Sequence, residues 1–337
     1  MSEIRYDKLH NKHVIIAPER LHRPNIAKRE FVASEKKNCP FCEGHENFTP
    51  PEIFALRDNI ANKPGWRTRV VPNLYKAVQI EEEDSSKRDG FFEYMKGFGA
   101  HEIIIDTPCH ECKLSTLSNE EIFDWLLTIS ARITDLAKDQ RIVSVNVFKN
   151  SGQNAGASQQ HPHTQIIALP IMPLNALEFL QRNHDYYTVH GRGIMQDIVQ
   201  NEKEAKVRVI HEVGIFTAYC PYASFFSFEV IIAPARVISN VSHCSADELK
   251  DLAQLLKNVF VMLATQLDSF DYNITFHNAP VNKNFENEKY MDDIAENFTF
   301  YMRIMPRLYT LAGFELATET AINGVSPEIC AKLLRGK

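Results

Sequence analysis

The sequence runs Asn150-Ser-Gly-Gln-Asn-Ala-Gly-Ala-Ser-Gln-Gln-His-Pro-His-Thr-Gln165 through its middle. Two imidazoles, His161 and His163, flank a proline directly after a loop of small residues. Alternation along a strand puts His161 and His163 on one face. Small residues let backbone N–H groups approach a phosphate closely. A nucleophilic imidazole beside a phosphate cradle can move a phosphoryl or nucleotidyl group through a covalent histidine intermediate.

A second constellation has metal-ligand spacing. Cys39-Pro-Phe-Cys42 places two thiolates on one side of a tight turn, as tetrahedral zinc requires. Two further ligands are needed, and the chain offers two solutions. Cys109 and Cys112, in Cys-His-Glu-Cys, would give a four-thiolate site. His110 and His161 would give a Cys2His2 site that also fixes the strand carrying His163.

These residues must be held by a scaffold, and the chain contains it twice. At a constant offset of 127 positions, His101-Glu-Ile-Ile-Ile105 matches Phe228-Glu-Val-Ile-Ile232, Leu117–Ile122 matches Cys244–Leu249, and Ser144–Phe148 matches Asp271–Thr275. Ile103–Ile105 and Val230–Ile232 read as buried strands. Ser118 and Ser245 read as N-caps of helices over Asn119–Lys138 and Ala246–Leu267. Val143–Phe148 and Tyr272–Phe276 return as strands. Where the first copy carries His161-Pro-His163, the second carries Thr299-Phe-Tyr301-Met-Arg303 after a longer acidic loop around Asn282–Glu296. One half is active and the other degenerate. The boundary is expected in the polar region Pro173–Lys206, dividing the chain into 1–185 and 186–337. Glu81–Gly90 reads as a charged surface loop.

The 337 residues suffice for two such halves. Hydrophobic residues are 44% and charged residues 24%, the balance of a globular protein. A net charge of −6 argues against a nucleic-acid scaffold. No apolar run reaches the length of a membrane span, and Met1–Asp7 lacks a signal-peptide core. Seven cysteines without an export signal point to metal ligands and reduced thiols rather than disulfides, hence to the cytoplasm.

The Cys-Pro-Phe-Cys knuckle, Pro72-Asn73-Leu-Tyr75, Asn150 through Gln165, Ile231-Ile-Ala-Pro-Ala-Arg236, His277-Asn-Ala-Pro280 and Ala312-Gly-Phe-Glu315 together resemble the galactose-1-phosphate uridylyltransferase family of the histidine-triad superfamily. The resemblance covers nearly the whole chain. It implies an α+β fold of two tandem histidine-triad-like halves, each an antiparallel sheet packed with helices, in a homodimer. It implies that His163 is the nucleophile, that Cys39, Cys42, His110 and His161 hold one structural zinc ion, and that Gln165 bonds the phosphoryl oxygens. Asn150, Gly156, Ala157 and Ser158 fall at phosphate and nucleotide contacts; Phe41, Asn73 and Tyr75 fall near the base and ribose. Ala157 stands where some members carry cysteine, and Leu74 where some carry an acidic residue. Pro72–Tyr75 and the Phe-Tyr-Met-Arg-Ile stretch look closer to adenylyl-transferring relatives. A second metal, held in some members by paired histidines, is not expected where Thr299 and Tyr301 stand.

The leading expectation is a ping-pong nucleotidyltransferase exchanging UMP between UDP-glucose and a hexose 1-phosphate such as galactose 1-phosphate. Its rival transfers AMP, in the manner of an ADP-glucose phosphorylase or an adenylylsulfate:phosphate adenylyltransferase. The partners are then a nucleotide sugar and a sugar 1-phosphate or phosphate, with no nucleic acid and no membrane. A dinucleoside polyphosphate hydrolase fits Gln165 less well. A non-catalytic zinc-containing binding protein is the reading of another class, and the intact His163 and Gln165 speak against it.

Overall fold

The computed structural model describes residues 2–18, 38–283 and 291–336. The first half holds β1 (Glu3–Asp7), β2 (Lys12–Ile16), β3 (Phe54–Arg57), β4 (Trp66–Pro72), β5 (Ser86–Asp89), β6 (Phe92–Met95), β7 (Ala100–Ile105), α1 (Asn119–Leu136), β8 (Ser144–Ser151), β9 (His163–Leu169) and α2 (Leu174–His190). The second holds α3 (Ile194–Ala205), β10 (Val209–Val213), β11 (Phe216–Tyr219), β12 (Val230–Pro234), α4 (Ala246–Leu267), β13 (Tyr272–His277), α5 (Ile294–Asn297), β14 (Tyr301–Pro306), α6 (Gly313–Thr318), β15 (Ala321–Asn323) and α7 (Pro327–Leu334). The chain has the α+β fold implied by the family resemblance.

Both long helices start where the serines placed them. Ser118 Oγ accepts from the Glu121 amide and the Glu121 carboxylate accepts from the Ser118 amide; Ser245 and Glu248 repeat the device. Their apolar stripes, with Ile122, Trp125, Leu126 and Ile129 on α1 and Leu249, Leu252, Leu256 and Val259 on α4, are buried. They pack on one face of a ten-stranded sheet ordered β10-β11-β12-β14-β13-β8-β9-β7-β4-β3, in which every neighbouring pair is antiparallel. Burying each such aliphatic side chain stabilises the fold by about 1.5–3 kcal/mol.

The two halves therefore meet inside one sheet, across the β8–β13 seam. There Phe148 lies opposite Thr275, Phe148 opposite Gln165 across β9, and Thr275 opposite Arg303 across β14. This register makes His161, His163 and Gln165 the counterparts of Thr299, Tyr301 and Arg303. On the outer side Ile103 pairs with Gln165 and Ile231 with Arg303. The counterpart of His101 is thus Glu229, one residue later than the sequence repeat placed it.

Alternation divides the sheet. Val145, Val147, Ile166, Ile274, Phe276, Met302 and Ile304 join the helix-covered core. The alternate positions, among them Phe148, Gln165, Asn273, Thr275, Tyr301 and Arg303, form a polar strip on the opposite face.

The polar region Pro173–Lys206 forms α2 and α3, and position 185/186 falls inside α2. Two expectations are corrected. The charged run Glu81–Gly90 contributes β5, one strand of an exposed hairpin with β6. Cys109 and Cys112 form a disulfide, because the C-x-x-C turn brings their Cα atoms within 5.5 Å. Residues 284–290 of the acidic loop lie outside the described residues. A small sheet, β1-β2-β15, packs beside the main one. No helix among the described residues is long and apolar enough to cross a membrane.

Candidate active site

Cys39, Cys42, His110 and His161 converge although 122 positions separate the first from the last. All four are buried, and their ligand atoms lie within 4.8 Å of one another. Cys42 Sγ lies 3.3 Å from His110 Nδ1 and 3.6 Å from His161 Nδ1, and Cys39 Sγ lies 3.8 Å from the latter. A tetrahedral zinc ion with ordinary bond lengths separates its sulfur and nitrogen ligands by about 3.5 Å, so the donor set fits. His161 Nε2–H donates to the Thr107 carbonyl at 2.8 Å, which leaves Nδ1 as the ligand nitrogen. Burial, against the opposing hydrogen bond to the Thr107 carbonyl, pushes His161 down to about 4, so the ring is neutral, as a metal ligand must be. With Cys109 and Cys112 bonded to each other, the four-thiolate alternative is not the set assembled here.

His163 opens β9 and is buried. Its Nδ1–H donates to the His161 carbonyl at 2.9 Å, so Nε2 carries the lone pair. Burial first, then the Lys149 charge, holds His163 below its ordinary value and keeps it neutral, although the His161 carbonyl and Asp106 oppose this. Lys149 Nζ donates to Asp106 Oδ2 at 2.6 Å and to the His163 carbonyl at 3.2 Å, in a buried ion pair. Trp125 on α1 donates to Thr164 Oγ1 at 2.9 Å and anchors the strand between His163 and Gln165. The Phe41 ring meets His163, their centroids 5.5 Å apart.

Gln165 is oriented from β7. The Ala77 amide donates to His101 Nδ1 at 3.1 Å, so His101 carries its proton on Nε2 and donates it to Gln165 Oε1 at 3.0 Å. The Gln165 amide NH2 is thereby turned outward as a donor. Asn73 is tied to the same residue through the backbone, its amide donating to the His101 carbonyl at 2.9 Å.

The loop after β8 is held from the other half. Asp271 Oδ2 accepts from Asn154 N and Nδ2, both at 2.8 Å. Asn273 Nδ2 donates to Asn150 Oδ1 at 2.8 Å and to the Ala155 carbonyl at 2.9 Å. Gly152, at φ +87°, lies so close that an added Cβ would sit 1.8 Å from Asp271 Oδ1.

The sequence-named residues thus divide. His161, His163, Gln165, Asn150, Asn73 and Phe41 gather around one end of the polar strip. Tyr75 is 85% exposed, and only its amide engages the group, bonded to Asn73 Oδ1. The Gly156 and Ala157 amides were expected to face a phosphate; they instead close the turn on the Gln153 and Gly152 carbonyls at 3.0 and 3.1 Å. Ser158 is exposed at the exit of that loop. His101, Asp106, Lys149, Asp271 and Asn273 escaped the sequence reading. Only His101 and Asn273 carried a signal, as polar positions inside the repeated strands.

The arrangement offers a neutral imidazole with its lone pair fixed, an oriented amide donor beside it, and a polar loop, all braced against a Cys2His2 cluster that could hold a metal ion. That is equipment for attack on phosphorus.

Residues 1–173 match the family described as galactose-1-phosphate uridyl transferase, N-terminal domain, and residues 179–331 match its C-terminal domain. ADP-glucose phosphorylase of Arabidopsis thaliana is 32% identical over 99% of this chain and 92% of its own length. Galactose-1-phosphate uridylyltransferase of Thermotoga maritima is 26% identical over 99% of this chain and 98% of its own. The crystal structure of the Arabidopsis phosphorylase with bound ADP-glucose superposes with a TM-score of 0.84 at 32% identity, covering 100% of this chain and 99% of that one.

Proposed function

Because this chain belongs to the galactose-1-phosphate uridyl transferase family of nucleotidyltransferases, we propose that it transfers an adenylyl group from ADP-glucose to phosphate through a covalent histidine intermediate. The sequence motifs alone put uridylyl transfer first. The similarity to ADP-glucose phosphorylase along nearly the full length of both chains moves the adenylyl donor ahead of it.

The observation that carries the mechanism is the hydrogen bond from His163 Nδ1 to the His161 carbonyl. Neutral His163 attacks the α-phosphorus through Nε2. The N–P bond forms, the bond from phosphorus to the bridging oxygen breaks, and glucose 1-phosphate leaves. The imidazole keeps its Nδ1 proton and becomes cationic. The His161 carbonyl, already accepting that proton, strengthens its bond as the charge appears. Gln165 donates to the phosphoryl oxygens, its amide held by His101. A phosphate oxygen then attacks the same phosphorus, the N–P bond breaks, ADP departs and His163 returns neutral.

Cys39, Cys42, His110 and His161 would hold one zinc ion. Bound there, it would cross-link the knuckle to the strand entry and fix the carbonyl of His161, without activating water. Two subunits per molecule complete the reading, tested by sedimentation.

Incubation with ADP-glucose or UDP-glucose, without acceptor, followed by intact-mass measurement tests the proposal. A gain of one AMP from ADP-glucose, absent in His163→Ala, supports it. A UMP adduct alone would replace the donor, and no adduct with either would overturn the covalent mechanism.

A further inference from the structure

Arg57, Arg69, Arg132, Arg208 and Arg303, like Arg5, sit in the interior, and each meets a carboxylate. Arg307 is different. It follows β14, and alternation puts it on the polar face with Tyr301, Arg303 and Met305. Its amide donates to the Asp271 carbonyl at 2.7 Å, which fixes the backbone. Its guanidinium lies over the Phe226 ring, 4.8 Å from the centroid. The hydrogen bond its side chain makes runs from Nη1 to Asn273 Oδ1 at 3.1 Å. Its Nε is buried and has no partner among the described residues, and no carboxylate there pairs with it.

A half-buried guanidinium on a neutral amide is costly, because the amide offers no compensating charge. Burial accordingly pushes the Arg307 pKa down, with only the Tyr309 phenol opposing it. An anion docking on the remaining N–H groups would recover that cost through charge-assisted, potentially bidentate bonds.

The surroundings say which anion. Asn273 accepts from Arg307 with Oδ1 and gives its Nδ2 hydrogens to Asn150 Oδ1 and the Ala155 carbonyl. One amide therefore separates Arg307 from both Asn150 and the loop. The guanidinium, held at Asn273 on β13, is two strand spacings, about 10 Å laterally, from the strand of His163. Arg307 is too far to serve the phosphorus bonded to His163. It is placed for the next phosphoryl group along the substrate.

We propose that Arg307 anchors the phosphoryl group that is not transferred: the one that leaves on the sugar, and the phosphate that replaces it. The inference rests on the nucleotidyl-transfer reading above and names the acceptor subsite of that same site. In a ping-pong exchange one subsite serves leaving group and acceptor in turn, so a single cation can hold both.

Inorganic phosphate is the probe. Calorimetric titration of phosphate into the intact protein is compared with Arg307→Gln and Arg307→Lys, alongside the phosphate dependence of turnover. The glutamine keeps length and one donor for Asn273 but removes the charge. The expected result is phosphate binding weakened about 10- to 100-fold in Arg307→Gln and partly restored in Arg307→Lys. KM for phosphate rises by the same factor while kcat at saturating phosphate changes little, and Tm is retained. Unchanged phosphate affinity in Arg307→Gln overturns the proposal. So does loss of kcat and Tm together with KM unaltered, which marks a purely structural arginine. Failure of the unmodified protein to bind phosphate overturns it as well. A protein that binds phosphate through Arg307 yet forms no nucleotidyl adduct would count against the transfer mechanism alone.

Discussion

His161 and His163 are joined by a 2.9 Å hydrogen bond from the ring Nδ1 of the second to the carbonyl of the first. The residue that contributes a ligand atom to the cysteine cluster therefore also sets the tautomer of its neighbour. Pro162 between them cannot donate a backbone hydrogen bond and fixes the approach, so one short tripeptide couples the Cys2His2 cluster to His163.

Replacing His163, the proposed nucleophile, separates chemistry from fold. His163→Ala removes Nε2 but leaves the four-residue cluster and α1 packing in place. Turnover should fall by about four orders of magnitude or more, with no adduct detected by mass. Metal content and Tm should stay near those of the unmodified protein. Residual turnover within a hundredfold would exclude covalent catalysis by this residue.

Metal removal should act on the fold and the chemistry together. Cys39→Ser or His110→Gln takes one ligand from a fully buried set. Zinc content should drop, Tm should fall by about 5 °C or more, and activity should follow, because the His161 carbonyl loses its brace. Cys109→Ser with Cys112→Ser should leave the zinc content intact. Loss of metal in that double variant would restore the four-thiolate site.

His101 should act through Gln165. His101→Ala frees the Gln165 amide to rotate, and kcat should fall about 10- to 100-fold with KM for the nucleotide sugar little changed. His101→Gln, which retains a donor, should recover part of the loss. In a double-mutant cycle, His101→Ala should cost nothing further once Gln165→Ala is present. Fully additive losses would show that His101 works by another route.

The loop before His161 depends on a carboxylate from the other half. Asp271 holds Asn154 by two 2.8 Å bonds and leaves no room for a Cβ on Gly152. Gly152→Ala combines that clash with a left-handed φ, so kcat/KM should drop at least tenfold and stability by about 1–3 kcal/mol. Pairing it with Asp271→Gly, which opens the space, should recover stability. A Gly152→Ala protein with normal activity would mean the loop does not position substrate.

Much of this was legible because it is local or periodic. The Ser-x-x-Glu caps placed both long helices, and β-branched runs placed β7, β12 and the seam strands. The cluster was readable as ligand types, but two solutions remained, since spacing alone does not say which distant pair closes a site. What stayed hidden depends on register. A one-residue shift separates His101 from Phe228 and aligns it with Glu229, whose carboxylate pairs with Arg303 where His101 pairs with Gln165. The Asp106–Lys149 pair was invisible because Asp106 follows β7 and Lys149 lies on β8, and the two carry no spacing. The Pro173–Lys206 region was read only as a polar boundary, because α2 buries just Leu180 and Asn183 and starts without a side-chain cap.

The degenerate half yields a final prediction. Tyr301 occupies the position equivalent to His163, and its Oη lies 3.2 Å from His10 Nε2 in the turn between β1 and β2. His10 Nδ1 in turn meets Asp7 Oδ2 at 2.7 Å. Burial alone would raise the Asp7 carboxyl. The His10 charge and hydrogen bond, with the Arg303 guanidinium, outweigh it and hold Asp7 below its ordinary value. A depressed carboxylate stabilises the fold above its unfolded pKa of about 3.9, and that contribution is lost as pH falls through the folded value. Asp7→Asn keeps the acceptor for the Leu9 amide but removes the charge. At pH 6 the variant should be less stable by on the order of 1 kcal/mol, and the gap should close as pH approaches 3. Denaturant midpoints across that range measure it, and kcat should not change, since the cluster surrounds Tyr301 on β14, three strand spacings from the strand of His163. A gap that stays constant down to pH 3 would show that Asp7 contributes through shape rather than charge.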